Sequence, residues 1–142
     1  GIDKDKIYRN VYYSYTESRL RLMGYLMYEK LEHFPEEHVA MFALTEEEMK
    51  RFNFIRGDAE GFVNLPLQIK GTRLSISLRE DTEKPVVRAS LRSVGDFPCN
   101  EMAERFFNGG GHLNAAGGWL PKPIDAAVLT ARQAIKSLSK KE

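Results

Sequence analysis

Apolar residues recur at three- and four-residue intervals through the first third of the chain. Ile7, Val11, Leu20, Met23, Leu26, Met27 and Leu31 trace one helical face. Ser14 with Glu17 has the S-x-x-E form of a capping box, so the spacing predicts a short helix near 4–12 and a longer one over about 15–33. Pro35 follows as a stop. Val39–Leu44 is too short and too uniformly apolar for an amphipathic helix and predicts a buried strand. Thr45 with Glu48 forms a second capping box, which opens a helix of about two turns ending at Arg51 or Phe52. Asp58–Pro66 reads as a short helix or turn interrupted by Gly61 and Pro66.

The period then changes to two. Leu74, Ile76 and Leu78 share one face and Arg73, Ser75, Ser77 and Arg79 the other. Val87, Ala89 and Leu91 likewise oppose Arg88, Ser90 and Arg92. Joined by the polar loop 80–85, these runs predict an antiparallel hairpin with one face on the core and an arginine/serine face outward. Asn100 is expected to cap a helix running to about Phe107, and the glycine run Gly109–Gly111 interrupts the chain before His112. A strand around Gly117–Leu120, with Trp119 packed inside, is fenced by Pro121 and Pro123. Ala127, Val128, Ala131, Ala134, Ile135 and Leu138 mark an amphipathic helix over Asp125–Leu138. The sum is an α/β or α+β sandwich, a mixed sheet of about four to five strands with helices packed on it.

Composition narrows the class. The chain has 142 residues, 42% hydrophobic and 29% charged, enough apolar surface for one real core and incompatible with a disordered chain or a fibre. Lys+Arg 21 against Asp+Glu 20 gives a formal net charge of +1, too little for a whole-molecule cationic field aimed at duplex nucleic acid. The single cysteine, Cys99, excludes an internal disulfide and a cysteine-based zinc cluster. An inert thiol in a reducing, cytoplasmic compartment is the reading it favours. No apolar run reaches the roughly 20 residues that a membrane span needs. Gly1 in place of Met is read as a processed start or a cut from a longer protein.

Two features carry chemistry. Three successive glycines lose more backbone freedom on folding than any other residues, and the usual compensation is positive φ or another molecule against bare backbone. Gly109–Gly111 with His112 is therefore read either as an anion-binding nest whose histidine donates to a phosphate, or as a turn that needs glycines and a histidine that caps it. Ala115, Ala116, Gly117 and Gly118 leave space beside it. The hairpin's polar face is the second feature. From Lys70 to Arg92 it carries Lys70, Arg73, Arg79, Lys84, Arg88 and Arg92 against Glu80, Asp81 and Glu83. Arg92 sits where the second strand ends, and its planar fork suits phosphate. Bond-breaking machinery is missing: the sequence offers no His-x-x-x-His and no nucleophile elbow.

Ser90-Leu91-Arg92-Ser93, Asn100-Glu101-Met102-Ala103 and Gly109-Gly110-Gly111-His112 with Ala115-Ala116-Gly117, in this order and spacing, resemble the DHH-associated C-terminal domain of the DHH phosphoesterase superfamily. Asp58–Asn64 is similar to the nanoRNase/pAp-phosphatase branch. The resemblance covers roughly 36–140, with 3–34 similar to the connecting helices of such enzymes. It implies a helical linker over 1–34 from an upstream catalytic domain absent here, and a substrate-binding domain over 35–142. It also implies manganese held by that upstream DHH domain and no cofactor on this chain. The substrate phosphate would be gripped by Arg92, Ser93, Asn100, Gly109, Gly110, Gly111, His112 and Ala115. The ligands so implied are short oligoribonucleotides, pAp, and linear or cyclic dinucleotides, with polyphosphate also within the family. Two other readings stay open: a non-catalytic RNA-binding module of the alanyl-tRNA synthetase-associated type, and a homodimer built on the apolar 15–33 helix.

Overall fold

The computed structural model describes residues 16–54 and 58–139. Helix α1 (Glu17–Tyr25) widens into a π-helical turn at Leu26–Lys30 and is followed by strands β1 (Glu32–Phe34) and β2 (Val39–Leu44). Helices α2 (Glu46–Arg51) and α3 (Asp58–Asn64) and a 3₁₀ turn (Leu65–Gln68) lead to β3 (Leu74–Glu80) and β4 (Val86–Ser93). Helix α4 (Cys99–Phe106), strands β5 (Gly110–His112) and β6 (Ala115–Pro121), and helix α5 (Ile124–Ser139) complete the fold. Among the described residues the strands form one mixed sheet of six in the order β1-β2-β3-β4-β6-β5. Only β2 and β3 pair in parallel, across a crossover that carries α2 and α3.

Alternation along each strand divides the core into two layers. Val39 and Met41 of β2, Leu74, Ile76 and Leu78 of β3, and Val87 and Leu91 of β4 pack against α4 and α5. Phe42 and Leu44 point the other way and meet Leu22, Leu26, Met49 and Phe62. The sheet therefore has helices on both faces, those on the second lying over β2, β3 and β4. Leu22 and Leu26 have no solvent exposure, so residues 17–30 pack as part of this body.

Four details differ from the sequence reading. The capping residue of α1 is Thr16, whose Oγ1 accepts from Arg19 N at 3.1 Å; Ser14 and the expected 4–12 helix lie outside the described residues. The expected 15–33 helix ends early. Leu31 is extended and Glu32–Phe34 pairs antiparallel with β2, so ladder bonding wins over helical periodicity at its end. Pro35 then belongs to the β1–β2 turn, where its carbonyl accepts from His38 N. The glycine run is partly a strand, which with β1 raises the count to six; both added strands have three residues, too few to show a period.

The Thr45/Glu48 capping box forms with both of its bonds. Glu48 also accepts from Tyr25 Oη and pairs with Lys30 Nζ at 3.0 Å, tying the π turn to α2. Burial raises the Glu48 carboxyl, but bonds from Tyr25, the Thr45 amide and Lys30 outweigh it and hold it below its ordinary value. A depressed carboxylate contributes stability that is present above its unfolded-state pKa and lost as pH falls through the folded one. The same bond, with burial, pushes the Tyr25 hydroxyl up to about 12, so its share is present below pH 10 and lost as pH rises toward 12. Glu48→Gln is expected to cost about 1–3 kcal/mol at pH 7. Denaturation at pH 7 and pH 3 checks this: the gap between wild type and variant should narrow in acid, and a constant gap would remove the carboxylate from the account.

Candidate functional site

Residues directly opposite one another on antiparallel strands project from the same sheet face. Arg92 of β4 stands opposite Ala115 of β6, and Ala115 stands opposite His112 of β5. The three form one transverse row, with Arg92 and His112 two strand spacings apart, roughly 10 Å. Only the methyl of Ala115 lies between them. The neighbouring row on this face is Ser90, Gly117 and Gly110, which is almost bare backbone. The result is a shelf with a guanidinium at one side, an exposed imidazole at the other and a floor without bulk.

Both rows continue under the helical layer. Ser75 pairs with Arg92 and Ser77 with Ser90, yet both serines are buried, where the sequence placed them on an outward face. Helix α3 contacts β3 and β4, so the face opens toward β6 and β5.

The arginines divide by partner. Arg73 pairs with Asp96 and Arg88 with Asp81, whose carboxyl is held well below the usual range by the amides of Glu83 and Lys84 and by Arg88. Arg79 Nη1 reaches Ser90 Oγ at 3.5 Å. Arg92 Nη1 donates to the carbonyls of Leu91 at 2.9 Å and Ala116 at 3.5 Å. Among the described residues no carboxylate pairs with it, so its side chain is ordered while its charge stays uncompensated. A cavity of about 560 Å³ lies at the far end of the hairpin, lined by Arg79, Arg88, Glu80 and Asp81 among others, where the arginine charges meet acids.

Close backbone crossing explains two of the clustered glycines. A Cβ on Gly109 would stand 1.8 Å from Gly117 O, and one on Gly118 would stand 2.0 Å from Phe107 O. Gly111 has φ +148, and a Cβ there would come within 2.6 Å of Ala115 O. Gly110 differs: its nearest neighbour would be Glu104 at 3.8 Å. The Gly109 N–H is bonded to Ala103 O at 3.1 Å, which leaves it no part in an anion nest.

The remaining residues predicted from sequence do not join the Arg92–Ala115–His112 row. Ser93 faces the other side of the sheet, opposite Leu74. Its Oγ lies 2.7 Å from Phe97 O and 3.1 Å from Leu113 O and accepts from Asn114 Nδ2 at 3.0 Å, fastening the end of β4 to the β5–β6 turn. Asn100 does not cap α4. Pro98 occupies that position without a side-chain cap, and Asn100 lies inside the first turn. Its Oδ1 is buried without a hydrogen-bond partner among the described residues, and α4 packs on the sheet face opposite Arg92 and His112. Cys99 is fully buried and burial pushes its thiol up, the condition of an unreactive sulfur. Trp119, expected inside, is 40% exposed. The sequence contained the signal for this: Leu120 is buried, and adjacent strand residues face opposite ways. Among the described residues no three His, Cys, Asp or Glu side chains gather into a metal-holding set. Nor is any described helix long and apolar enough to cross a membrane.

Comparison with known proteins supplies what geometry cannot. The profile of the DHHA1 domain matches residues 37–141. The chain belongs to the DHHA1 family. This DHHA1 domain is similar to an exopolyphosphatase-related protein from Bacteroides fragilis, at 52% identity and a TM-score of 0.85, over 96% of this chain and 39% of that one. It thus spans about two-fifths of the length of that protein. A pGpG-specific phosphodiesterase from Vibrio cholerae shares the fold at 14% identity and a TM-score of 0.63, over 89% of this chain and 40% of the other. An uncharacterized Helicobacter pylori G27 protein does so at 18% identity and a TM-score of 0.51, over 84% and 32%. No curated protein matches.

Proposed function

We propose that this DHHA1 domain grips the terminal phosphate of a short oligoribonucleotide, pAp or a linear or cyclic dinucleotide, and presents the next phosphorus to the metal centre of an upstream DHH domain. The observation that carries this reading is the row Arg92–Ala115–His112, an uncompensated guanidinium facing an exposed imidazole across a floor of small residues. Arg92 offers a planar fork to two phosphate oxygens, and a His112 ring N–H donates to a third. Ala115, Gly110 and Gly117 give clearance, and Ser93 positions the β5–β6 turn. Bond breaking is assigned to the DHH half, which would hold manganese, and the buried Cys99 thiol fits a cytoplasmic setting.

Titration calorimetry of the 142-residue chain with pAp, a 5′-phosphorylated dinucleotide and tRNA, each at two salt concentrations, tests this. Saturable binding of the short ligands is expected. Steeply salt-dependent binding of tRNA with no affinity for the short ligands would replace the reading with an RNA-binding module.

A further inference from the structure

The shelf does not end at its phosphate row. Trp119, the one tryptophan of the chain, stands opposite Arg88 in the β4–β6 register and so projects from the same face as Arg92, Ala115 and His112. It lies four residues along β6 from Ala115, a span of about 14 Å on an antiparallel strand. Between them on this face of β6 is Gly117 alone, flanked by Gly110 and by Ser90, to which Arg79 Nη1 reaches at 3.5 Å, so along β6 itself no side chain separates indole from phosphate row. The backbone under the indole is pinned on both sides: Trp119 N donates to Phe107 O at 2.7 Å and Trp119 O accepts from Asn108 Nδ2 at 3.2 Å. The ring itself has no hydrogen bond or aromatic contact among the described residues. Beside it, Arg88 is engaged by Asp81 at 3.0 Å, so this end of the shelf offers a π surface more than a second anion site.

From this placement we infer that Trp119 stacks on a base of the ligand, making the domain selective for phosphates that carry nucleotides over bare polyphosphate. The inference rests on the phosphate grip proposed above. A polyphosphate chain has charge for Arg92 and His112 but no face for an indole. A base has one, and removing such a platform typically weakens binding roughly tenfold or more.

Because Trp119 is the single tryptophan, its emission reports the contact directly. The 142-residue chain is titrated with 5′-phosphorylated diadenylate and with tripolyphosphate. Diadenylate should quench the emission; tripolyphosphate should displace diadenylate while leaving the free protein's emission nearly unchanged. Trp119→Ala should weaken diadenylate about tenfold or more and leave tripolyphosphate unaffected, while Trp119→Phe should keep most of the affinity. Diadenylate bound by calorimetry with unchanged emission, or with equal affinity in Trp119→Ala, overturns the stacking role and leaves the grip standing. Insensitivity of both ligands to Arg92→Ala, or no binding of either, removes the grip and the stacking with it.

Discussion

Arg92→Ala is expected to weaken binding of pAp or a phosphorylated dinucleotide about 100-fold, with the fold intact. Each hydrogen bond from an ionised donor is worth about 1.5–3 kcal/mol, and a fork that makes two of them reaches the roughly 3 kcal/mol that a 100-fold change requires. Two features keep the effect from falling below that figure. The guanidinium is already ordered by the Leu91 and Ala116 carbonyls, so little side-chain freedom is lost on binding, and no described carboxylate competes for it. Arg92→Lys keeps the charge but loses the fork, and should fall between alanine and wild type. His112→Ala removes one donor and should cost about tenfold. In an enzyme that includes the DHH half, the same substitutions should raise KM strongly and lower kcat less, because an anchor that binds ground and transition states alike contributes to KM. Unchanged affinity and kinetics in both alanine variants would show that the phosphate is held elsewhere.

The largest effect on stability is expected at Gly118. Its missing Cβ would stand 2.0 Å from Phe107 O and 2.9 Å from the carbonyl carbon. Those are backbone atoms, which cannot rotate away, and the same crossing carries the Trp119 N to Phe107 O bond. Gly118→Ala should therefore cost about 3 kcal/mol or more, or prevent folding. Gly109→Ala should behave similarly, with its Cβ 1.8 Å from Gly117 O. Gly110→Ala is the discriminating variant. Its methyl meets nothing closer than 3.8 Å, so denaturant unfolding should show a change within about 1 kcal/mol. The methyl would lie beside Glu104 of α4, so dinucleotide affinity should change little. Equal destabilisation by Gly110→Ala and Gly118→Ala would contradict the crossing geometry.

These two sites also show what the sequence can and cannot disclose. Val39–Leu44, the Thr45/Glu48 box, the hairpin and α5 are legible because an apolar run or a clean period of 2 or 3.6 reports which face is buried. Arg92 and His112 are legible as residue types suited to phosphate. Their shared face is not, because it depends on the register of β6 against both β4 and β5, and Gly110–His112 has no apolar alternation to set it. The clustered glycines invite a ligand explanation, but a steric demand between α4 and β6 accounts for Gly109 and Gly118. Such demands arise from tertiary crossings and leave no periodic trace. The burial of Ser75 and Ser77 escapes for a similar reason: α3, which covers them, comes from the crossover and not from the hairpin itself.

Leu113 and Asn114 alone connect β5 to β6, and Asn114 is clamped to Ser93 Oγ and to Gly95 O. That two-residue bend works as a ruler. Lengthening it by a single amino acid would slip one strand past the other and turn the imidazole toward the opposite side, away from the guanidinium. Chains that use this apparatus should thus tolerate exchange of Leu113, whose side chain is open to solvent, far better than any change in the bend's length.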